Sequence, residues 1–159
     1  MRNMAPAGWA SSAPGYTPYM PAEMQGTRDG GMSRQGREGL RLRLGSGPEA
    51  AAEARRAIAN IRADLDPPLV ETLRLLVTEL VTNSVRHTDC DAITLRVAVG
   101  SSAVLTEVTD DGPVFEPDPE SLDDPDRGWG LFLVQMLAPR WGVSDDGSSK
   151  RVWFELNRA

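Results

Sequence analysis

A chain of 159 residues, 40% hydrophobic and 25% charged, is long enough for one globular domain and too short for two ordinary ones. Its net charge of -6, with no basic patch interleaved with aromatics, argues against nucleic acid as a partner, and its single cysteine, Cys90, excludes an internal disulfide and any multi-cysteine zinc site. No apolar run of signal-peptide type follows Met1, and no stretch approaches the ~18 apolar residues of a membrane span, so a soluble, cytoplasmic protein without membrane contact is expected.

The apolar residues are unevenly placed. The first Leu, Ile, Val or Phe is Leu40, whereas residues 1–38 hold five of the six Met, four Pro and six Gly. Such a segment cannot build a core, so 1–38 is expected to be a disordered tail and 39–159 the folded domain. Thirteen basic and twenty acidic residues fall after residue 38. That acidic balance suits a basic or mixed protein partner.

Leu40-Arg41-Leu42-Arg43-Leu44 alternates strictly, the pattern of a strand with one buried face, and Gly45-Ser46-Gly47 ends it. A helix follows, with Pro48 and Glu49 in its first turn, reaching to about Ala63 and burying Ala54, Ala57, Ile58 and Ile61. Asp66-Pro67-Pro68 breaks the chain, and a second helix begins directly after it. In that helix Leu69, Leu73, Leu76, Val77, Leu80 and Ser84 recur at helical spacing as one apolar stripe. Glu79 and Asn83 stand one turn apart at the edge of the stripe, a carboxylate suited to accept a proton and a carboxamide suited to bind a hard cation.

Two strands are expected at Ile93 to Val99 and Val104 to Thr109, joined as a hairpin through Gly100-Ser101-Ser102. Asp110-Asp111-Gly112 follows, placing at a strand end an acceptor-only carboxylate beside a glycine that would let a flat base approach the backbone. Residues 113–127 contain four Pro and six Asp or Glu and read as a mobile lid. Gly128-Trp129-Gly130 opens into Leu131-Phe132-Leu133-Val134-Gln135-Met136-Leu137, a nearly all-apolar helix expected to be buried on several sides and ended by Pro139. Free amides at its N-terminus are suited to phosphate oxygens. Two last strands, Trp141 to Val143 and Arg151 to Leu156, flank a polar turn. Paired strands with intervening helices imply an α+β fold, a two-layer sandwich with an antiparallel or mixed sheet and its helices on one face.

The helix motif Glu79-Leu80-Val81-Thr82-Asn83-Ser84-Val85-Arg86-His87, the Asp110-Asp111-Gly112 corner and the Gly128-Trp129-Gly130 helix start, in this order, resemble the GHKL (histidine kinase-like) ATP-binding superfamily. The anti-sigma-factor serine/threonine kinase branch is the most similar. The resemblance runs from about Leu40 to Leu156. It implies the two-layer Bergerat-type α/β fold with a mostly antiparallel sheet, ATP and Mg2+ as cofactors, Asn83 as the magnesium ligand and Glu79 as the catalytic base. It also implies that Asp110 binds the adenine amino group with Gly112 flanking the base, and that Gly128, Trp129, Gly130 and Leu131 cover the phosphates. A sigma factor or its antagonist would be the protein partner, with homodimerisation as an option. A Ser or Thr of the antagonist would receive the phosphate; the alternatives are an ATP- or ADP-binding interaction module without transfer, and a slow ATPase. This chain departs from the pattern at Val114, where many relatives have a second glycine, and at Arg151, where relatives tend to have threonine. Its lid is acidic, with Arg127 as the only base. His87 lies inside the nucleotide helix, which argues against a phosphoacceptor role and for a structural contact near the pocket. No Gly-x-x-x-x-Gly-Lys-Ser/Thr loop occurs, so a P-loop NTPase is not supported.

Overall fold

The computed structural model describes residues 37–61, 64–112, 129–145 and 147–158. Along the chain lie β1 (Arg37–Gly45), α1 (Ala50–Ala59), α2 (Pro67–His87), β2 (Ala92–Val99), β3 (Ala103–Asp110), α3 (Trp129–Leu137), β4 (Arg140–Asp145) and β5 (Lys150–Asn157). The element order matches the sequence reading, with differences at the ends. Arg37 and Glu38, assigned above to the tail, open β1, where Arg37 lies opposite Val99. Residues 1–36 and the proposed lid, 113–127, lie outside the described residues, as does Gly128.

Helix α1 starts at Ala50 and ends at Ala59, four residues before the expected end. Asn60 and Ile61 donate to the carbonyls three residues back, Ala57 and Ile58, which tightens the last turn and closes the helix. Pro67 and Pro68 do not precede α2 but form its first two positions. The first N–H groups of a helix have no intrahelical acceptor, so proline costs nothing there, and its fixed φ suits the helix. Asp66, in extended conformation, holds the position before them.

The five strands form one sheet in the order β1-β2-β3-β5-β4, with every neighbouring pair antiparallel. The sheet is therefore wholly antiparallel where the sequence reading allowed a mixed one, and β1 sits at one edge. One face carries Leu44, Ile93, Leu95, Val97, Val108, Val152 and Phe154 into a single core with Ile58, Leu73, Leu76, Val77, Leu80 and Val81 of the helices. This is the two-layer α+β sandwich.

The opposite face is polar but not uniformly exposed. Arg41, Arg96, Glu107 and Trp153 lie in one cross-strand row, and Glu107 and Trp153 are buried. Arg96 donates to the Glu107 carboxylate at 2.9 Å. Trp141, by contrast, is fully buried in the helix-side core. Helix α3 is less buried than its composition suggested: Leu131 and Val134 enter the core, but Met136 is 65% exposed and Leu137 also faces outward. A nine-residue helix packed on one side cannot bury all its side chains, whatever their polarity.

Candidate nucleotide site

Helix α2 is the scaffold of the site. Its stripe of Leu73, Leu76, Val77 and Leu80 is locked against the sheet, and this fixes the rotation of the helix. Glu79 and Asn83, on the flank, are partly exposed. Ser84, which ends the stripe, is buried, and its hydroxyl donates to Oδ2 of Asp110 at 2.6 Å. That bond ties α2 to the end of β3.

Asp110 is itself buried, and among the described residues three donors meet its carboxylate. Ser84 and the Lys150 ammonium (3.3 Å) reach Oδ2, and the Gly112 amide reaches Oδ1 at 2.9 Å. An ionised carboxylate offers about four lone-pair sites, so Oδ1 keeps one for a further donor such as an exocyclic amine. Gly112 completes a close turn: a Cβ there would collide with the Thr88 methyl and lie 2.9 Å from Asp110 Oδ1. Thr88 is held in turn by donating its hydroxyl to the Ser84 carbonyl at 2.6 Å, just past the end of α2.

The start of α3 meets the other flank of α2. A Cβ on Gly130 would lie 2.6 Å from Nδ2 of Asn83 and 3.2 Å from Cβ of Glu79, so the backbone of the first turn rests directly on this pair. The amides of Trp129, Gly130 and Leu131 are first-turn donors without intrahelical acceptors. The side chain of Leu131 is buried in the core, which leaves only its backbone for a ligand. The structure thus brings Glu79, Asn83, Asp110, Gly112 and Gly130 around one stretch of α2. Ser84, Thr88 and Lys150 belong to the same cluster and were not singled out as site residues from the sequence. A hydroxyl at the end of an apolar stripe was the available signal for Ser84. Lys150 required the strand register that sets it opposite Asp110. His87, expected to make a structural contact, is exposed at the end of α2.

These residues suit a nucleotide with a divalent ion: an acceptor beside a glycine turn, a carboxamide, and a helix N-terminus whose glycine admits close approach. Among the described residues no group of three or more His, Cys, Asp or Glu could hold a metal. A cation here would depend on Asn83 together with phosphate and water oxygens, the manner in which magnesium is commonly held. A shallow groove of about 310 Å³ lined by Pro68, Leu69, Thr72, Leu137 and Leu156 contains none of these residues; it lies at the opposite end of α2.

The model of the histidine kinase-like ATPase domain matches residues 44–155. The chain belongs to this family. ATP binding is the chemistry that membership implies, and the Asp110 and Asn83 clusters fall within the matched span. Among solved structures, the crystal structure of the RsbU and RsbW domains of Rv1364c from Mycobacterium tuberculosis aligns with a TM-score of 0.56 at 17% identity, covering 77% of this chain. The histidine kinase AdeS of Acinetobacter baumannii aligns with a TM-score of 0.48 at 15% identity, covering 75% of this chain and 68% of that one. The alignment to the mycobacterial protein is a likeness of fold, and it spans 33% of that solved chain. No curated protein sequence matches this one. Among the described residues no helix is long and apolar enough to cross a membrane.

Proposed function

We propose that this protein is an ATP- and magnesium-binding regulator of the anti-sigma-factor kinase type, which transfers the γ-phosphate of ATP to a Ser or Thr of an antagonist protein in the cytoplasm. The observation that carries the reading is the packing of the Gly130 turn onto Asn83 and Glu79, because it sets a helix N-terminus, a carboxamide and a carboxylate side by side, groups that would suit phosphate, a cation and a hydroxyl proton. Glu79 would accept the proton of the attacking hydroxyl, Asn83 would hold the cation, and Asp110 would accept from the adenine amine. Magnesium bound with the nucleotide would offset phosphate charge during transfer. Backbone amides of Gly128 to Leu131 would line the phosphates. A sigma factor or its antagonist is the partner class that fits this reading, with a homodimer compatible with it.

The test is a pair of measurements. Calorimetric titration of ATP with magnesium should give binding to the wild type that is lost or greatly weakened in Asn83→Ala. Incubation of γ-labelled ATP with a host-cell protein fraction should then label a protein on Ser or Thr with the wild type and not with Glu79→Gln, which keeps its nucleotide affinity. The acidic composition of 113–127, with Arg127 as its one base, favours a second reading in which the pocket holds ATP or ADP only to shape a partner surface. Unchanged partner regulation by Glu79→Gln would decide for that reading. Phosphate release without any protein acceptor would point to a slow ATPase.

A further inference from the structure

We infer that Lys150 is a positioning residue for base selection: it holds Asp110 as a fixed acceptor, so that the site's preference for adenine's exocyclic amine depends on a lysine that makes its contact through Asp110. The inference rests on the nucleotide reading above. Lys150 opens β5 and pairs in register with Asp110, the last residue of β3. Its ammonium lies 3.3 Å from Asp110 Oδ2, with 5% of the lysine side chain and 1% of the aspartate side chain exposed. Buried charges are costly to desolvate even when paired, and well-packed apolar residues in their place are often neutral or stabilising. The other inward pairs between these strands are Val108 with Val152, Thr106 with Phe154 and Val104 with Leu156. The sheet therefore closes without ions along the rest of this row, and the charge pair stands only where the row reaches the candidate base site.

The arrangement of donors gives the pair its use. Ser84 and Lys150 both engage Oδ2, and among the described residues Gly112 alone engages Oδ1. Two donors on one oxygen fix the rotation of the carboxylate and reserve the unfilled valence of the other oxygen for an incoming N–H. Removing Lys150 takes away both the opposing charge and one of the donors that hold that rotation.

The experiment compares ATP with purine riboside triphosphate, which lacks only the exocyclic amine, in titrations of the full-length wild type and Lys150→Met. A hydrogen bond from the amine to a charged acceptor predicts an ATP preference on the order of tenfold in the wild type. In Lys150→Met the preference should fall toward one, while the affinity for purine riboside triphosphate changes little. A purely structural lysine would weaken both nucleotides alike and leave the ratio intact, and a folded variant with the wild-type ratio overturns the proposal. Should Lys150→Met fail to give a cooperative melt, Lys150→Gln, which keeps an N–H donor without the charge, is read by the same ratio. A wild type that binds both nucleotides equally removes Asp110 as the base acceptor and this proposal with it, leaving ATP binding standing. A wild type that binds neither nucleotide removes both.

Discussion

Gly112 is a position where one methyl group should be felt. An alanine Cβ would meet the Thr88 methyl, and Thr88 cannot simply rotate away because its hydroxyl is bound to the Ser84 carbonyl. Gly112→Ala is therefore expected to destabilise the domain by about 1–3 kcal/mol, the usual range for overpacking. Thr88→Ser removes the methyl while keeping the hydroxyl, so it should restore much of the loss in the Gly112→Ala background. Thermal melts of the two single variants and the double variant check this. No recovery in the double variant would locate the clash at the Asp110 carboxylate, also 2.9 Å from the added carbon. Gly130 poses the same question on the other flank. Gly130→Ala drives a carbon toward the Asn83 amide, and it should cost nucleotide affinity more than stability, because Asn83 is partly exposed and its side chain can yield. Titration and melting of one variant separate the two effects.

At the scale of elements, α2 shows a sharp difference between two adjacent leucines. Leu76 is fully buried, while Leu75, one position earlier, is 42% exposed. Leu76→Ala should cost about 2–5 kcal/mol and Leu75→Ala no more than ~0.5 kcal/mol, as denaturant titration would measure. Equal costs would mean that α2 is rotated from the position described. This rotation was legible in the sequence, because the spacing of Leu69, Leu73, Leu76, Val77, Leu80 and Ser84 admits one buried face, and all six are buried. The alternation of Ile93, Leu95, Val97 and Val99 made β2 equally plain, and of the three motif pieces the structure brings Glu79, Asn83, Asp110, Gly112 and Gly130 around one stretch of α2. The sheet order was not legible. Periodicity says which side of a strand is buried but not which strand it pairs with, so β5 lying between β3 and β4 emerged only from the register. Lys150 was obscure for the same reason, being a charged residue buried beside Asp110, a cross-strand partner far away in sequence. The apolar run of α3 misled in the opposite direction, since composition cannot tell which side of a helix has nothing to pack against.

For the molecule as a whole, the question is how much of the chain the domain needs. Residues 1–36 contain no Leu, Ile, Val or Phe, and their Met, Trp and Tyr are scattered among Pro, Gly and polar residues, so the segment is not expected to contribute to the core. The next nine residues are different. They form β1, which pairs with β2 from Arg37 opposite Val99 to Gly45 opposite Ala92, and they place Leu44 in the core at 1% exposure with Leu40 and Leu42 packed against it. Without β1, the core would lose Leu44 and the side chains packed with it, and the unpaired backbone of β2 would become the new edge of the sheet. A chain beginning at Arg37 should therefore melt within a few degrees of the full-length protein. A chain beginning at Ser46 should lose its cooperative transition or melt far lower, and it should aggregate at the exposed edge. Differential scanning calorimetry of the two truncations with the intact chain makes the comparison. A large drop for the first truncation would show that the N-terminal segment packs on the domain. A small drop for the second would mean that α1, α2 and the remaining four strands close the core without β1.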